Sequence, residues 1–401
     1  MNGSKKTGQG RRHLPEGDMR TTNSNVEIKR QNKIKIVQYI LKHEKVSRQE
    51  LAVALGFSLP TVFQNVTELM ELGMVCEAGE YGSTGGRKAK VLKIKEGFCC
   101  AAGIEITKDD ICFVLVDLDQ KLVCLERKTL SYANTQEYYS RLGEVVGELL
   151  RKNGITAKGT TRLAGVGISV PGIIDHDLGM LRESHELGVE NVSIRHFSKY
   201  IPHEFCCESS ANCSAYAVLN AEQKSAVYLA LSDTVRGAVF IDGKIYKGDN
   251  FRGGEFGHTI VQPGGRMCCC GKQGCLNAYC SSEVLTEHGA YALEQFFERL
   301  EAGDPEYKER WEEYLEYLAR QTANIRIAFD CDIILGGKVG RYLTPYMAQL
   351  EAHLRVYNVT DFDFSYLTVD PYQQGSSAIG AACYMLDRYV ENLHSEQTGG
   401  A

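Results

Sequence analysis

The residues best able to do chemistry lie in HTIVQPGGRMCCCGKQGC, where one histidine and four cysteines (Cys268, Cys269, Cys270 and Cys275) fall within the span His258 to Cys275. One imidazole and three thiolates make a closed tetrahedral set for zinc, and soft sulfur favours that ion over magnesium or calcium. Gly271 and Gly274 let the loop fold back tightly enough for Cys275 to join. With four protein ligands no position is left for a reacting water, so such a metal shapes the chain and does not catalyse. The remaining cysteines are scattered through a well-patterned chain and read as small buried hydrophobes.

A second set of functional residues comes early, in SLPTVFQNVTELMELG. Ser58 is the expected N-cap of a helix, with Pro60 in its first turn and Val62, Val66, Leu69 and Met70 as the buried stripe. Thr61, Gln64 and Asn65 are then expected to face outward near the N-terminus, where Gln and Asn can pair bidentately with adenine. The elements needed to present them are legible on either side. NKIKIVQYILKHE spaces Ile36 with Ile40 and Val37 with Leu41 as a helix does, and SRQE offers a capping box of Ser47 and Glu50 for a second helix ending at Gly56. After Gly73, two short strands around a basic Gly-rich turn read as a wing with Arg87 and Lys88 at its tip, able to enter a minor groove or grip phosphate.

Charge supports a polyanion partner for this head. Residues 1–95 hold 17 Lys and Arg against 9 Asp and Glu, whereas the formal net charge of the whole chain is -6. A basic head on an acidic body directs nucleic acid to the head alone. No apolar run reaches the roughly 20 residues needed to span a bilayer, and the polar start lacks a secretory core, so a cytoplasmic protein without a membrane partner is expected. The expected organisation is a flexible basic arm (1–30), a winged helix-turn-helix (31–95), a large α/β body (96–390) and a short tail (391–401).

In the body, strand-like runs alternate with helical ones and end in glycine turns: AAGIEITKDDICFVLVDLDQKLV, RLAGVGISVPGIID, SAVYLALSDTVRGAVFIDGKI and CDIILGGKVG. With GGEFGHTIV, CCCGKQGCLNAY and SSAIGAA in the same order, and SRQELA and GGR in the head, the chain resembles the ROK family of repressors and sugar kinases, in its repressor branch. The resemblance spans roughly residues 30–385 and implies a winged helix-turn-helix followed by a two-lobed hexokinase/actin-like (ribonuclease H-like) ATPase-type fold, with a ligand between the lobes. It assigns the metal to His258, Cys268, Cys270 and Cys275, leaving Cys269 as an extra thiol, and makes the zinc structural.

Against the family's kinases the reactive positions have changed. Where those enzymes carry Asn-Asp-Ala-Asn with the aspartate as base, this chain has Ser209, Ser210, Ala211 and Asn212. A serine hydroxyl cannot serve unaided as that base. Glu105 stands for the aspartate of the first phosphate turn, and the Gly-Thr-Gly loop has become SDTVRGAV, in which Asp233 is expected to set a negative charge where phosphate would lie. No catalytic residue is therefore expected, and the body is read as kinase-dead. Ser209, Ser210, Asn212, Glu255, His258 and Asn277 remain candidate sugar contacts, the last standing where a glutamate is common. His185 and Glu186, in a loop that borders the sugar, are weaker candidates. The implied protein is a regulator of carbohydrate genes, xylose genes among them, that binds operator DNA as a homodimer or homotetramer and responds to a sugar or sugar derivative. The alternatives are a working sugar kinase with an appended head, and a regulator that answers to a protein partner.

Overall fold

The computed structural model describes residues 25–393 apart from 44, 81–89, 157, 158, 160, 220–224, 360 and 362. The first helix, α1 (Asn25–Lys42), begins inside the segment expected as an arm. Its first turns carry no apolar stripe for a pattern search to find. They are held by polar pairs, with Glu27 accepting from Arg30 and Gln31, and Lys33 reaching Glu68 at 2.7 Å. In α2 (Arg48–Leu55) the capping box forms as expected, Ser47 and Glu50 each accepting from the other's backbone N–H, and Gly56 closes the helix in the left-handed region. Ser58 caps α3 (Leu59–Glu71). The strands β1 (Val75–Glu80) and β2 (Lys90–Ile94) pair antiparallel as the wing, whose tip residues Arg87 and Lys88 lie outside the described residues.

Among the described residues the body contains two five-stranded sheets. The first is built from β3 (Cys99–Ile106), β4 (Asp110–Asp117), β5 (Leu122–Thr129) and, after α4 (Gln136–Lys152), β6 (Arg162–Val170). A small three-stranded sheet of β7 (Ile173–Asp175), β8 (Met180–Ser184) and β9 (Val189–Ser193) follows, then α5 (Arg195–Ser198), the edge strand β10 (Phe205–Ser209) and α6 (Ser210–Val218). The second sheet takes β11 (Ser225–Leu231), β12 (Val235–Ile241) and β13 (Lys244–Tyr246). A helical stretch of α7 (Asn277–Cys280), α8 (Ser282–Leu285), α9 (Leu293–Glu301) and α10 (Pro305–Phe329) then precedes β14 (Asp332–Gly336). The chain finishes with α11 (Gly337–Gly340), α12 (Met347–Tyr357), β15 (Leu367–Val369) and α13 (Ser376–Glu391).

The sheets run β10-β6-β3-β4-β5 and β13-β12-β11-β14-β15. In each the central strand, β3 or β11, is antiparallel to the strand that follows it and parallel to β6 or β14 on its other side. One α/β pattern is therefore used twice, which is the two-lobed architecture expected. The first sheet is covered on one face by α4, through Leu142, Val146 and Leu149, and on the other by α13. α13 lies so close that a Cβ on Gly103 would stand 1.9 Å from the Ala378 carbonyl oxygen, so glycine is obligatory there. The second sheet packs its apolar face on Phe296, Trp311, Leu315 and Leu354 from α9, α10 and α12. α13 also joins the lobes to the head: Leu386 and Val390 share a core with Ile36, Val62 and Leu92, and Arg30 donates to the Glu391 carbonyl at 3.1 Å. No helix among the described residues is long and apolar enough to cross a membrane.

Candidate functional site

The start of α3 presents Ser58 and Gln64 to solvent, with Thr61 half-buried and its hydroxyl 2.8 Å from Ser58 Oγ. Among the described residues Gln64 donates to Glu68, at 3.4 Å, from its exposed position. Asn65 corrects the sequence expectation. It is 2% exposed and donates through Nδ2 to the Thr61 carbonyl at 2.7 Å, so it braces the helix from within. Its place beside Val66 on the inward arc explains this, since consecutive residues turn by about 100° and the buried arc is wide enough for both. The outward face carries Phe63 instead, 53% exposed under the Arg48 guanidinium, with Leu59, and α2 exposes Val53. Apolar side chains here can meet thymine methyls. The signal was in the sequence, because Phe63 falls outside the stripe of Val62, Val66 and Leu69.

The His/Cys cluster, which could hold a metal ion, is assembled from a single turn and a knuckle. The turn Phe256–His258 places the histidine, and isolated bridges Ile260–Cys275 and Met267–Gln273 bring the cysteine loop back beneath it. Gly274 has φ 86°, and a Cβ there would lie 1.9 Å from the Gln262 carbonyl oxygen. One ligand atom each from His258, Cys268, Cys270 and Cys275 lies within 4.8 Å of all the others. Cys270 and Cys275 have their sulfurs 3.7 Å apart, and Cys268 Sγ is 3.8 Å from His258 Nδ1. A disulfide needs about 2.05 Å, whereas two sulfurs at about 2.3 Å from one tetrahedral zinc are about 3.8 Å apart. The spacing fits a metal. Cys269 lies outside this group, exposed, with its sulfur accepting from Asn277 Nδ2 at 3.6 Å.

The cleft between the sheets opens where β3, β6, β11 and β14 end, the usual place for a ligand in such folds. Two cavities occupy it. The larger is bordered by Glu105, Ser210, Lys338 and Ser376, the smaller by Glu208, Ser209, Asn212 and Glu255, and Arg236 lines both. Ser209 caps α6 through the Asn212 N–H, and Asn212 donates to Glu208 at 3.1 Å. Burial pushes the Glu208 carboxyl up, but the hydrogen bond from His176 and the charge of Lys247 outweigh it and bring the pKa to about 2. Glu255 accepts from Arg236 Nη1 at 3.0 Å. Glu105 accepts from Ser377 and stands 3.8 Å from Arg127.

Two sequence expectations change at this point. Asn277 does not face the cleft; its Oδ1 accepts from the Val235 N–H at 2.7 Å and holds the turn before β12. His258 turns Nδ1 toward Cys268 Sγ at 3.8 Å, which occupies one ring nitrogen and leaves Nε2 able to meet a hydroxyl. Asp233 does not leave a bare charge in the cleft, because Ser282 donates to it at 2.6 Å and Lys338 neutralises it. The polar residues that the sequence reading passed over are Glu208, Lys247 and Arg236. Arg236 had a visible signal, a cation inside the apolar run VRGAVF, which is buried throughout.

The ROK family model matches residues 101–388 and a winged helix-turn-helix DNA-binding model matches residues 29–75. The chain is 28% identical over 264 residues to the xylose repressor of Bacillus subtilis (strain 168), covering 64% of this chain and 67% of that protein. It is 22% identical over 278 residues to the N-acetylglucosamine repressor of Escherichia coli O157:H7, covering 68% and 67%. Among solved structures, a ROK family transcriptional regulator homologous to the E. coli MLC protein superposes with a TM-score of 0.73 at 17% identity, over 91% of this chain and 98% of that one. The ROK hexokinase from Thermus thermophilus gives 0.58 at 24% identity, over 71% and 97%. These two likenesses speak to the fold alone.

Proposed function

The chain belongs to the ROK family, and from that premise we propose that it is a DNA-binding transcriptional regulator of carbohydrate-metabolism genes whose body senses a sugar or sugar derivative without phosphorylating it. The observation that carries this is the fusion of a winged helix-turn-helix to a ROK body in one chain, whose similar proteins include ones named as repressors. In this reading Ser58, Thr61 and Gln64 meet the major groove, and Arg87 and Lys88 of the wing hold phosphate or the minor groove. His258, Cys268, Cys270 and Cys275 hold one zinc ion, which fixes the loop carrying Glu255 at the cleft. The sugar lies among Ser209, Asn212 and Glu255, with Ser210 at the boundary with the larger cavity. Xylose is the first sugar to try, given the named relative.

The absence of phosphorylation rests on Ser210 in place of a base and on a phosphate loop that holds an ion pair, Asp233 with Lys338, where backbone N–H groups would be needed. α13 supplies a route from ligand to operator. Its N-terminal serines border the cleft, and its other end is packed into the core of the head. A ligand that binds better to one arrangement of the lobes then shifts the head and changes operator affinity. Two heads in a homodimer match a palindromic operator.

The test is fluorescence anisotropy of the purified protein on DNA from upstream of its own gene, at fixed salt, with and without sugars. Saturable binding that survives competitor DNA and changes with a sugar is expected. Binding no stronger than to random DNA, together with ATP turnover on a hexose panel, would replace the regulator with a kinase.

A further inference from the structure

β12 is buried from Val235 to Phe240, and its one charged residue, Arg236, is 7% exposed. Arg236 Nη1 donates to Glu255 at 3.0 Å, whereas its Nε is buried and has no hydrogen-bond partner among the described residues. A guanidinium withdrawn from water needs acceptors for its N–H groups, so an incoming acceptor gains most at the one left over. The side chain stands between the two cleft cavities, lining both.

The larger cavity is lined by four cations, Arg127, Arg236, Lys338 and Arg341, against Glu105, Glu186 and Asp370. Each cation already faces a carboxylate (Asp110, Glu255, Asp233 and Glu294 in turn), so an incoming anion must compete with these pairs. Burial pushes the Glu186 carboxyl up to about 7, with Asp233 and Glu105 adding to the rise and Lys338 opposing it, and burial also raises Asp370. Burial acts to lower Arg127 and Lys338 too, but facing carboxylates outweigh it and hold both charged. Two of the cavity's carboxyls, Glu186 and Asp370, are thus drawn toward the neutral form while Arg127 and Lys338 stay charged. α13 adds to this wall. This helix opens on the same cavity at Gly375 to Ser377, its N-cap Gly375 makes no side-chain cap, and such a terminus attracts oxyanions.

We propose that the ligand is an acidic monosaccharide derivative, with ring hydroxyls among Glu208, Asn212 and Glu255 in the smaller cavity and a carboxylate or phosphate oxyanion gripped by Arg236 on the wall shared with the N-terminus of α13. The proposal rests on the sugar-sensing reading of the body and narrows it. Arg236 becomes the residue that sets specificity. A neutral sugar offers its Nε a hydroxyl, whereas an oxyanion accepts two parallel charge-assisted bonds from the guanidinium fork.

The experiment is titration calorimetry on the zinc-loaded full-length protein with neutral D-xylose and D-glucose, the carboxylates D-glucuronate and D-galacturonate, and glucose 6-phosphate, each at low and high NaCl. An acidic sugar is expected to bind at least about tenfold tighter than its neutral parent, with a preference that shrinks in salt. A response confined to the uronates or to the phosphate identifies the oxyanion. Arg236→Gln should abolish the preference while zinc content and melting show the variant folded. Arg236→Lys, which keeps the charge but lacks the fork, should lose most of it and serves if the glutamine variant does not fold. Neutral parents binding as tightly as the acids, or a preference that survives in Arg236→Gln, overturns the proposal and leaves sugar sensing intact. Binding by none of the sugars overturns the sensing reading and the proposal together.

Discussion

Gln64 and Asn65 are neighbours with opposite duties. Gln64 is exposed at the start of α3, and Gln64→Ala should flatten base preference in an operator selection while overall affinity falls little. Asn65 is enclosed, so Asn65→Ala should leave the operator profile unchanged and cost about 1–3 kcal/mol in urea unfolding, the usual cost of breaking a buried hydrogen bond. An altered profile in a stable Asn65→Ala protein would return that residue to the reading set. Glu208 makes a pH prediction. Its folded pKa of about 2 lies below the 4.5 of an ordinary glutamate. The ionised form therefore stabilises the fold above pH 4.5, and that contribution is lost as pH falls toward 2. Between those limits Glu208→Gln should show a flatter melting profile than the wild type. Equal slopes would mean that the His176 and Lys247 contacts contribute nothing to stability.

Among the elements, the cysteine knuckle and α13 make the sharpest demands. Cys275→Ser should lower zinc from one equivalent to near none by atomic emission and reduce the melting temperature, and a chelator should do the same to the wild type. Unchanged zinc in that variant would refute the ligand set. α13 has a double task, since Leu386 lies in the core that joins sheet and head. Leu386→Ala should cost about 2–5 kcal/mol, because the close-packed neighbours cannot collapse into the space. It should also weaken the dependence of operator binding on sugar. A destabilised variant with full sugar response would place the coupling outside α13.

For the whole molecule, the proposed dimer predicts a solution mass of two chains of 44.5 kDa, or a higher even multiple, by sedimentation at operator-binding concentrations. A monomer that binds a palindrome in full would contradict it. The basic head also predicts that operator affinity falls steeply with salt, following the phosphates it neutralises.

Much of this architecture can be read from local pattern. The capping box at Ser47, the cap at Ser58, the strands that end in glycines and the cysteine spacing all follow from interactions within a few residues, which the sequence displays directly. The polar first turns of α1 escaped because their support is an ion-pair set that includes α3, not an apolar stripe. The division of labour in the cleft escaped for a related reason. Whether Asn277 faces a ligand or a backbone N–H, whether Asp233 is bare or neutralised, and whether Arg236 is free depend on partners tens to hundreds of residues away. Types and spacing pointed to a helix-turn-helix head, an α/β body and a His/Cys loop able to hold a metal, and the structure added that the body uses one sheet pattern twice. Only the tertiary structure decided which polar side chains satisfy one another and which remain for a ligand, because in a low-dielectric interior each such group is defined by the partner that packing brings to it.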